Sequence, residues 1–473
     1  MKPIKHSLIF LSILTALLLT GCGNAVNTYT DNTSSNQQNL SENNSHQGTT
    51  VPAEDIPRHE DGRAIVTLSS FHVSPEIEAA VVAFNKSNAE YYVEILTADE
   101  GTSAGDYWER EMIEISAGKG PDLFSKTTLA TFHTYVQKGV MEDLMPYIER
   151  DLNVEDYVES SLFAYARDGK VYALESDFII SLYVGSKDIL GAKESWTFAE
   201  MEQIMAKNPQ LTTFRDTHGN VGSLLKDYLG FGSPSYTDYD TLKKCIAFDK
   251  AYSKNLPSDT HALPGKTVLV EQINISNALD LVDYETLYET ALTPVGYVNE
   301  KGNGILHSSF GWSINSASKQ KEGAWAFLRY LLSEEYQRAY VTDFSPMKEI
   351  LEEQLIYYGQ PISYTYYDKE AGEEYTFTTG HRLNRTSDAT QITPAYVAEH
   401  GTASIEIDCM TTEQLDTIRR LIDNSRTSCF DWDTTAHNII FEEAEYYFNE
   451  ERSLEEVMRN IENRMELYMA ETQ

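Results

Sequence analysis

The stretch AIVTLSSFHVSPEIEAAVVAFNKSNAEYYVEILT, residues 64–97, decides the fold. Its opening, AIVTLSS, is rich in β-branched residues and predicts a strand over 64–70. Ser74-Pro75 then offers an N-cap with proline at the first helical position. Ile77, Ala80, Val81 and Phe84 follow at i, i+3, i+4, i+7, the spacing of one buried helix face. YYVEILT, residues 91–97, reads as a second strand. Working outward, a second helix is expected from about 105 to 117, with Trp108, Met112 and Ile115 on one side. Gly118-Lys119-Gly120-Pro121 breaks it, and Asp122-Leu123-Phe124 starts a third strand. Alternating strand and helix predicts an α/β fold with a parallel, doubly wound sheet. Ligands bind such sheets beyond the carboxyl ends of the strands. Here those ends carry Ser69, Ser70 and Phe71, then Ser125, Lys126 and Thr127.

Downstream, Tyr172-Ala173-Leu174 and the run 179–184 read as extended around the acidic Glu175-Ser176-Asp177. Thr197 and Glu200 form a capping box at a helix start, as do Ser453 and Glu456. Residues 266–315 read as mostly extended, and 360–408 as irregular. Ser318 is expected to cap a long helix whose apolar face holds Ala324, Trp325, Leu328, Leu331 and Leu332. Leu454, Val457, Ile461, Met465 and Tyr468 define the last helix. The acidic helices over 441–471 read as a solvated face.

The chain start sets an expected compartment. Lys2 and Lys5 precede an apolar run from Leu8 to Leu19, the form of a secretory signal peptide and too short for a comfortable bilayer span. Leu19-Thr20-Gly21-Cys22 resembles the bacterial lipobox, which implies a signal peptide over 1–21 and a lipid on Cys22. Residues 22–62 are rich in Asn, Thr, Ser and Gln and read as a flexible tether. At roughly 150 residues per domain, 473 residues suggest about three units, tether included. With 37 Lys+Arg against 73 Asp+Glu, a net charge of −36 supplies no basic stripe for nucleic acid. Cys245, Cys409 and Cys429 show no metal spacing and leave a Cys409–Cys429 bridge or three free thiols open.

Several blocks together resemble the extracellular solute-binding proteins of ABC transporters, the sugar-binding family that includes maltose-binding protein. They are EIEAAVVAFNKSN (76–88), GKGPDLF (118–124), DGKVYALESDF (168–178), SWTFAE (195–200), GWSINSASKQKEGAWAFLRYLLSEEYQ (311–337) and the tail 441–471, in the family's order. The resemblance implies a two-lobed, periplasmic-binding-protein-like fold, each lobe a doubly wound sheet flanked by helices, with a ligand cleft between them. By position, 63–175 plus 308–345 would form the first lobe and 178–305 plus 350–473 the second. It further implies no enzyme activity, no cofactor, a monomer, a carbohydrate ligand (an oligosaccharide is expected) and ABC transporter permease subunits as partners. The protein would sit on the outer face of a Gram-positive cell membrane. A surface glycoside hydrolase acting through two carboxylates is the alternative.

Sugar recognition needs flat aromatic faces for C–H-rich ring sides and planar polar groups for hydroxyls. Ser70, Phe71, Lys126 and Asp177 match cleft positions of the family, with a solvated role open for Lys126 and a capping role for Asp177. Trp312 is the favoured contact, set beside Gly311 at the cleft mouth, against the alternative of a core Trp. Asn274, Asn277 and Tyr297 are candidates from the second lobe, and Trp432 a further platform. Trp196 and Trp325 read as core, and Phe178 as packing in the crossover. No zinc-protease, nucleophile-elbow or Walker A motif is present.

Overall fold

A computed structural model describes residues 56–98, 101–125, 129–193, 196–213, 224–225, 228–229, 236–252, 262–296, 305–307, 311–368, 373–379, 409–425 and 433–472. The alternation expected over 64–125 is present. Strand β1 (Ala64–Ser69) pairs in parallel with β2 (Tyr91–Leu96) from Ala64↔Tyr91 to Ser69↔Leu96, and with β3 (Leu123–Ser125) at Leu68↔Leu123. Helix α1 (Pro75–Ser87) links β1 to β2. Its Ser74 side chain accepts from Ile77 N, and Ile77, Ala80, Val81 and Phe84 are its buried residues. Helix α2 (Ala104–Ser116) links β2 to β3 but rolls away from expectation: it buries Tyr107, Glu111 and Ile115, while Trp108 and Met112 are half-buried.

Past β3, α3 (Leu129–Gln137) leads towards a short hairpin, β4 (Ala166–Arg167) and β5 (Lys170–Val171). Asp168 and Gly169 at its tip have φ of 51° and 76°, a left-handed pair that suits a tight hairpin turn. Strand β6 (Leu174–Glu175) and β11 (Gly311–Ile314) complete the first sheet in the order β2-β1-β3-β11-β6, with β11 antiparallel to both neighbours.

The second sheet is built on β7 (Ile179–Ser186), almost wholly buried, against β8 (Val270–Ile275), β9 (Leu292–Val295) and β10 (Ile305–His307). Its described pairs all run antiparallel to β7, whereas the first sheet has two parallel and two antiparallel pairings. Besides the step from β10 to β11, the chain crosses between the sheets at Ser176–Phe178 and again at Asp343–Ser345. Phe178 and Phe344 pair as an antiparallel bridge with ring centroids 5.5 Å apart. The buried Gln337 amide donates to Ser176 O (2.7 Å) and accepts from Ser345 Oγ (2.7 Å), tying both crossings to one side chain.

Burial follows this division. One apolar cluster gathers Val66, Leu68, Phe84, Trp312, Trp325 and Tyr336 on the first sheet. A second gathers Trp196, Ile246, Val295, Ile440 and Ile461 on the second. A third runs through the crossings, from Phe124 and Phe132 past Phe178 and Phe344 to Ile180, Leu182 and Ile418. As expected, Trp196 and Trp325 are core, their indole N–H groups donating to Gly296 O (2.9 Å) and Asp151 Oδ2 (2.6 Å).

Several expectations need correction. Residues 266–315 contain a helix, Asp280–Tyr288. Ser318 does not cap the next helix, which starts at Lys321 after Gln320; its hydroxyl donates to Asp122 Oδ1 (2.6 Å) instead. The long helix breaks at Ser333, which caps a second one, Glu334–Tyr340. Residues 360–408 are not irregular throughout, since β12 (Ile362–Asp368) and β13 (Glu373–Thr379) pair as an antiparallel ribbon. The acidic tail is not wholly solvated: Glu443 is buried and holds Arg452, Asn460 and Arg464. Cys245 and Cys409 are free thiols among the described residues; Cys429, the other half of the candidate bridge, lies outside them. The signal peptide, Cys22 and most of the tether also lie outside them.

Candidate functional site

The carboxyl ends of β1 and β3 carry a layer of hydroxyls and rings. Ser69, Ser70 and Ser125 are buried there, with Ser70 Oγ donating to His72 O (2.8 Å) and lying 3.2 Å from Ser125 Oγ. Phe71, half-buried, packs at 5.6 Å from the Tyr107 ring and edge-on at 6.1 Å from Trp108. Phe71 and Trp108, both half-buried, keep part of their rings open, with Tyr107 and the hydroxyls of Ser70 and Ser125 buried behind them; an aromatic face backed by hydroxyls suits a sugar ring. Beneath them, Ser69 Oγ donates to Glu111 Oε1 (2.8 Å), and Tyr107 OH reaches the same oxygen at 3.3 Å. Burial raises the Glu111 carboxyl to about 6, opposed by the Ser69 and Tyr107 hydroxyl bonds and helped by Glu114.

The crossings supply a second group. Asp177 is half-buried, accepts from Ser176 Oγ (2.9 Å) and is raised by burial, with the Glu76 charge adding to it. Asp343, on the other crossing, is raised to about 6 by burial and then by the charges of Asp177, Asp280 and Glu76. Glu76 opens α1 on the first sheet and Asp280 opens the helix after β8, so charges from both sheets act on one carboxyl. Among the described residues, none of these four carboxylates forms an ion pair.

From the second sheet, Asn274 is exposed on β8, its Oδ1 accepting from Ser181 Oγ (2.6 Å). Asn277 is half-buried and engaged at the start of helix Asp280–Tyr288. Its Nδ2 donates to Asp280 Oδ1 (2.9 Å) and its Oδ1 accepts from Leu279 N. Asp280 Oδ2 also accepts from Ser276 N and Oγ.

The structure thus brings Ser70 and Phe71 into one surface, sets Asp177 on the crossing, and leaves Asn274 with an open face. Trp312 is placed differently. It is 1% exposed and packed among Leu174, Ile314 and Trp325, so its ring is core rather than cleft wall. Gly311 accommodates the Tyr165 ring: a Cβ there would meet Tyr165 Cε2 at 3.0 Å. Lys126, Tyr297 and Trp432 lie outside the described residues. Tyr107, Trp108, Glu111 and Asp343 were not among the expected site residues. The signal for the first three was helical spacing from the Ser70-Phe71 strand end, masked by reading α2 one residue out of phase.

A separate groove of about 790 Å³ lies between helices Glu159–Leu162, Lys348–Tyr358 and Thr412–Asn424. The Arg419–Glu352 ion pair sits in its wall. None of the residues lining it belongs to the ends of β1 or β3. Among the described residues, no His, Cys, Asp and Glu side chains group as a metal site, and no helix is long and apolar enough to cross a membrane.

The profile of the bacterial extracellular solute-binding proteins matches residues 79–347, more than half of the chain, and the protein belongs to that family. Its two-lobed α/β fold is that of several solved structures. The chain is similar to the sugar-binding protein MalE from Xanthomonas citri, at 13% identity and TM-score 0.54 over 86% of this chain and 98% of that one. It is similar to the cyclic α-maltosyl-1,6-maltose binding protein of Arthrobacter globiformis, at 12% identity and TM-score 0.51 over 85% and 98%. A family 1 extracellular solute-binding protein of Alicyclobacillus acidocaldarius matches at 12% identity and TM-score 0.51 over 85% and 97%. No curated protein sequence matches the chain.

Proposed function

We propose that this solute-binding protein captures a carbohydrate, with an oligosaccharide as the natural ligand, and hands it unaltered to the permease of an ABC transporter. The observation that carries the reading is the surface at the ends of β1 and β3. There Phe71, Tyr107 and Trp108 lie beside Ser70 and Ser125. The half-buried rings of Phe71 and Trp108 would cover the apolar side of a pyranose, backed by the buried Ser70 and Ser125 hydroxyls. The sugar ligands named for the Xanthomonas and Arthrobacter proteins support the same class.

The lobes would comprise 63–175 with 308–345 and 178–305 with 350–473, closing over the ligand about the crossings at Asp177 and Asp343. Closure is a shift between open and closed populations, driven by whatever the closed form binds better. As a monomer anchored through lipid on Cys22, with 22–62 as tether, the protein would work at the outer face of the membrane. Two or more acyl chains anchor stably where one does not.

Titration calorimetry against a saccharide panel tests the reading: saturable binding with intact recovery of the sugar is expected. Binding of peptides or metal ions in place of any sugar, or turnover of the bound glycan, contradicts it. For the anchor, Cys22→Ala is expected to release the protein into the medium, and unchanged membrane retention would refute it.

A further inference from the structure

Glu111 is 5% exposed and, among the described residues, has no basic partner; the groups that act on it are Ser69 from β1, Tyr107 and Glu114 from α2, and Tyr135 from α3. The nearest cation in the network, Arg110, lies over the Tyr107 ring at 5.9 Å from its centroid. Glu111 Oε1, Ser69 Oγ and Tyr107 OH are mutually hydrogen-bonded, three oxygens closing a triangle.

Counting protons shows what that triangle does. With the carboxyl ionised, two hydroxyl hydrogens serve three edges; both point at the carboxylate, and the Ser69–Tyr107 edge has none. A proton on Glu111 supplies the third. The carboxyl then donates to Tyr107, Tyr107 to Ser69, and Ser69 back to Oε1, a chain in which each bond polarises the next. Ser69 directly precedes Ser70 and Phe71, and the Tyr107 ring packs on Phe71. The groups that respond to the proton are therefore the ones that hold the binding surface.

We propose that Glu111 is a positioning residue whose proton firms the Ser70–Phe71–Trp108 surface, so that ligand affinity rises as the medium acidifies. The inference rests on the saccharide reading above for its ligand. The sign follows from water exclusion. A ligand over Phe71 and Trp108 further disfavours the charged carboxyl, so the complex holds its proton to higher pH than the free protein does. Affinity is then highest below the free protein's pKa and falls as pH rises through it.

The full chain is titrated with maltotriose and with cyclic α-maltosyl-1,6-maltose at pH 5 and pH 7.5. Wild-type binding is expected to weaken by about fivefold at the higher pH. Glu111→Gln, neutral at both and able to donate and accept in the same place, is expected to keep the acid affinity. Glu111→Ala should bind weakly at both. A flat wild type, or a pH slope that survives in Glu111→Gln, overturns the proposal. Without ligand, tryptophan fluorescence assigned with Trp108→Phe is expected to titrate near pH 6 in wild type and not in Glu111→Gln. No such transition also overturns it. If the transition is seen while neither sugar binds, the coupling of Glu111 to this surface stands and the saccharide reading is what fails.

Discussion

Two glutamates are buried to nearly the same degree, Glu111 at 5% and Glu443 at 6%, in opposite surroundings. Glu443 sits between the last two helices, Thr434–Phe448 and Leu454–Thr472, where Arg452 (2.7 Å), Arg464 (3.0 Å) and Asn460 (3.1 Å) all donate to it. Among the described residues, Glu111 is bonded by hydroxyls alone. Arg452, Arg464 and Asn460 compensate the lost hydration of the first carboxylate, that of Glu443, and fasten one helix to the next. Hydroxyls compensate the second only in part, so its proton becomes a variable. Equal burial therefore yields a rivet in one place and a titrating group in the other, and the titrating one lies under the candidate binding surface.

The sharpest way to break the contrast is at the rivet. Glu443→Ala takes the carboxylate from Arg452 and Asn460, leaves Arg464 with Glu442 alone, and is expected to cost about 3 kcal/mol in urea denaturation at neutral pH. A loss under 1 kcal/mol would show that the cluster is surface decoration. At the titrating site the sign reverses. The folded pKa of Glu111, about 6, stands above its ordinary 4.5, so the stability it contributes is full below about 4.5 and is lost as pH rises through 6. Glu111→Gln should therefore stabilise the protein at pH 7.5 by about 2 kcal/mol, with the difference vanishing near pH 4. Equal stability of the two proteins at pH 7.5 would remove the distinction between the glutamates. Smallest is the effect of Thr197→Ala, which removes a capping box bonded to neither glutamate and should cost about 1 kcal/mol at every pH.

These glutamates also mark where the sequence stops being readable. Helix α1 is legible because its buried positions are all apolar, and Ser74-Pro75 marks its start. Helix α2 is not, because its buried stripe is Tyr107, Glu111, Ile115. An acid within the stripe shifts the apparent apolar face to Trp108 and Met112, and only tertiary contacts with Ser69 reveal it. The tail hides Glu443 among many acids for the same reason. Trp312 fails differently: all four residues of β11 are buried, so alternation gives no inner or outer face, and the ring goes to the lobe core. Helix Asp280–Tyr288 was obscured by a weak apolar period and starts on side chains, Ser276 and Asn277 bonded to Asp280, that read as loop polar groups. Ser70, Phe71 and Asp177 lie at the strand end and crossing where they were expected, because the sheet topology fixes those positions whatever the side chains.

The central claim is mechanical: two lobes that close on a sugar and let it go unchanged. Small-angle X-ray scattering of the full chain, with and without a saccharide that binds in calorimetry, tests it most directly. A fall in radius of gyration on saturation, reversed when the intact sugar is dialysed away, is the predicted result. An unchanged radius at saturation, or recovery of a cleaved sugar, would contradict it.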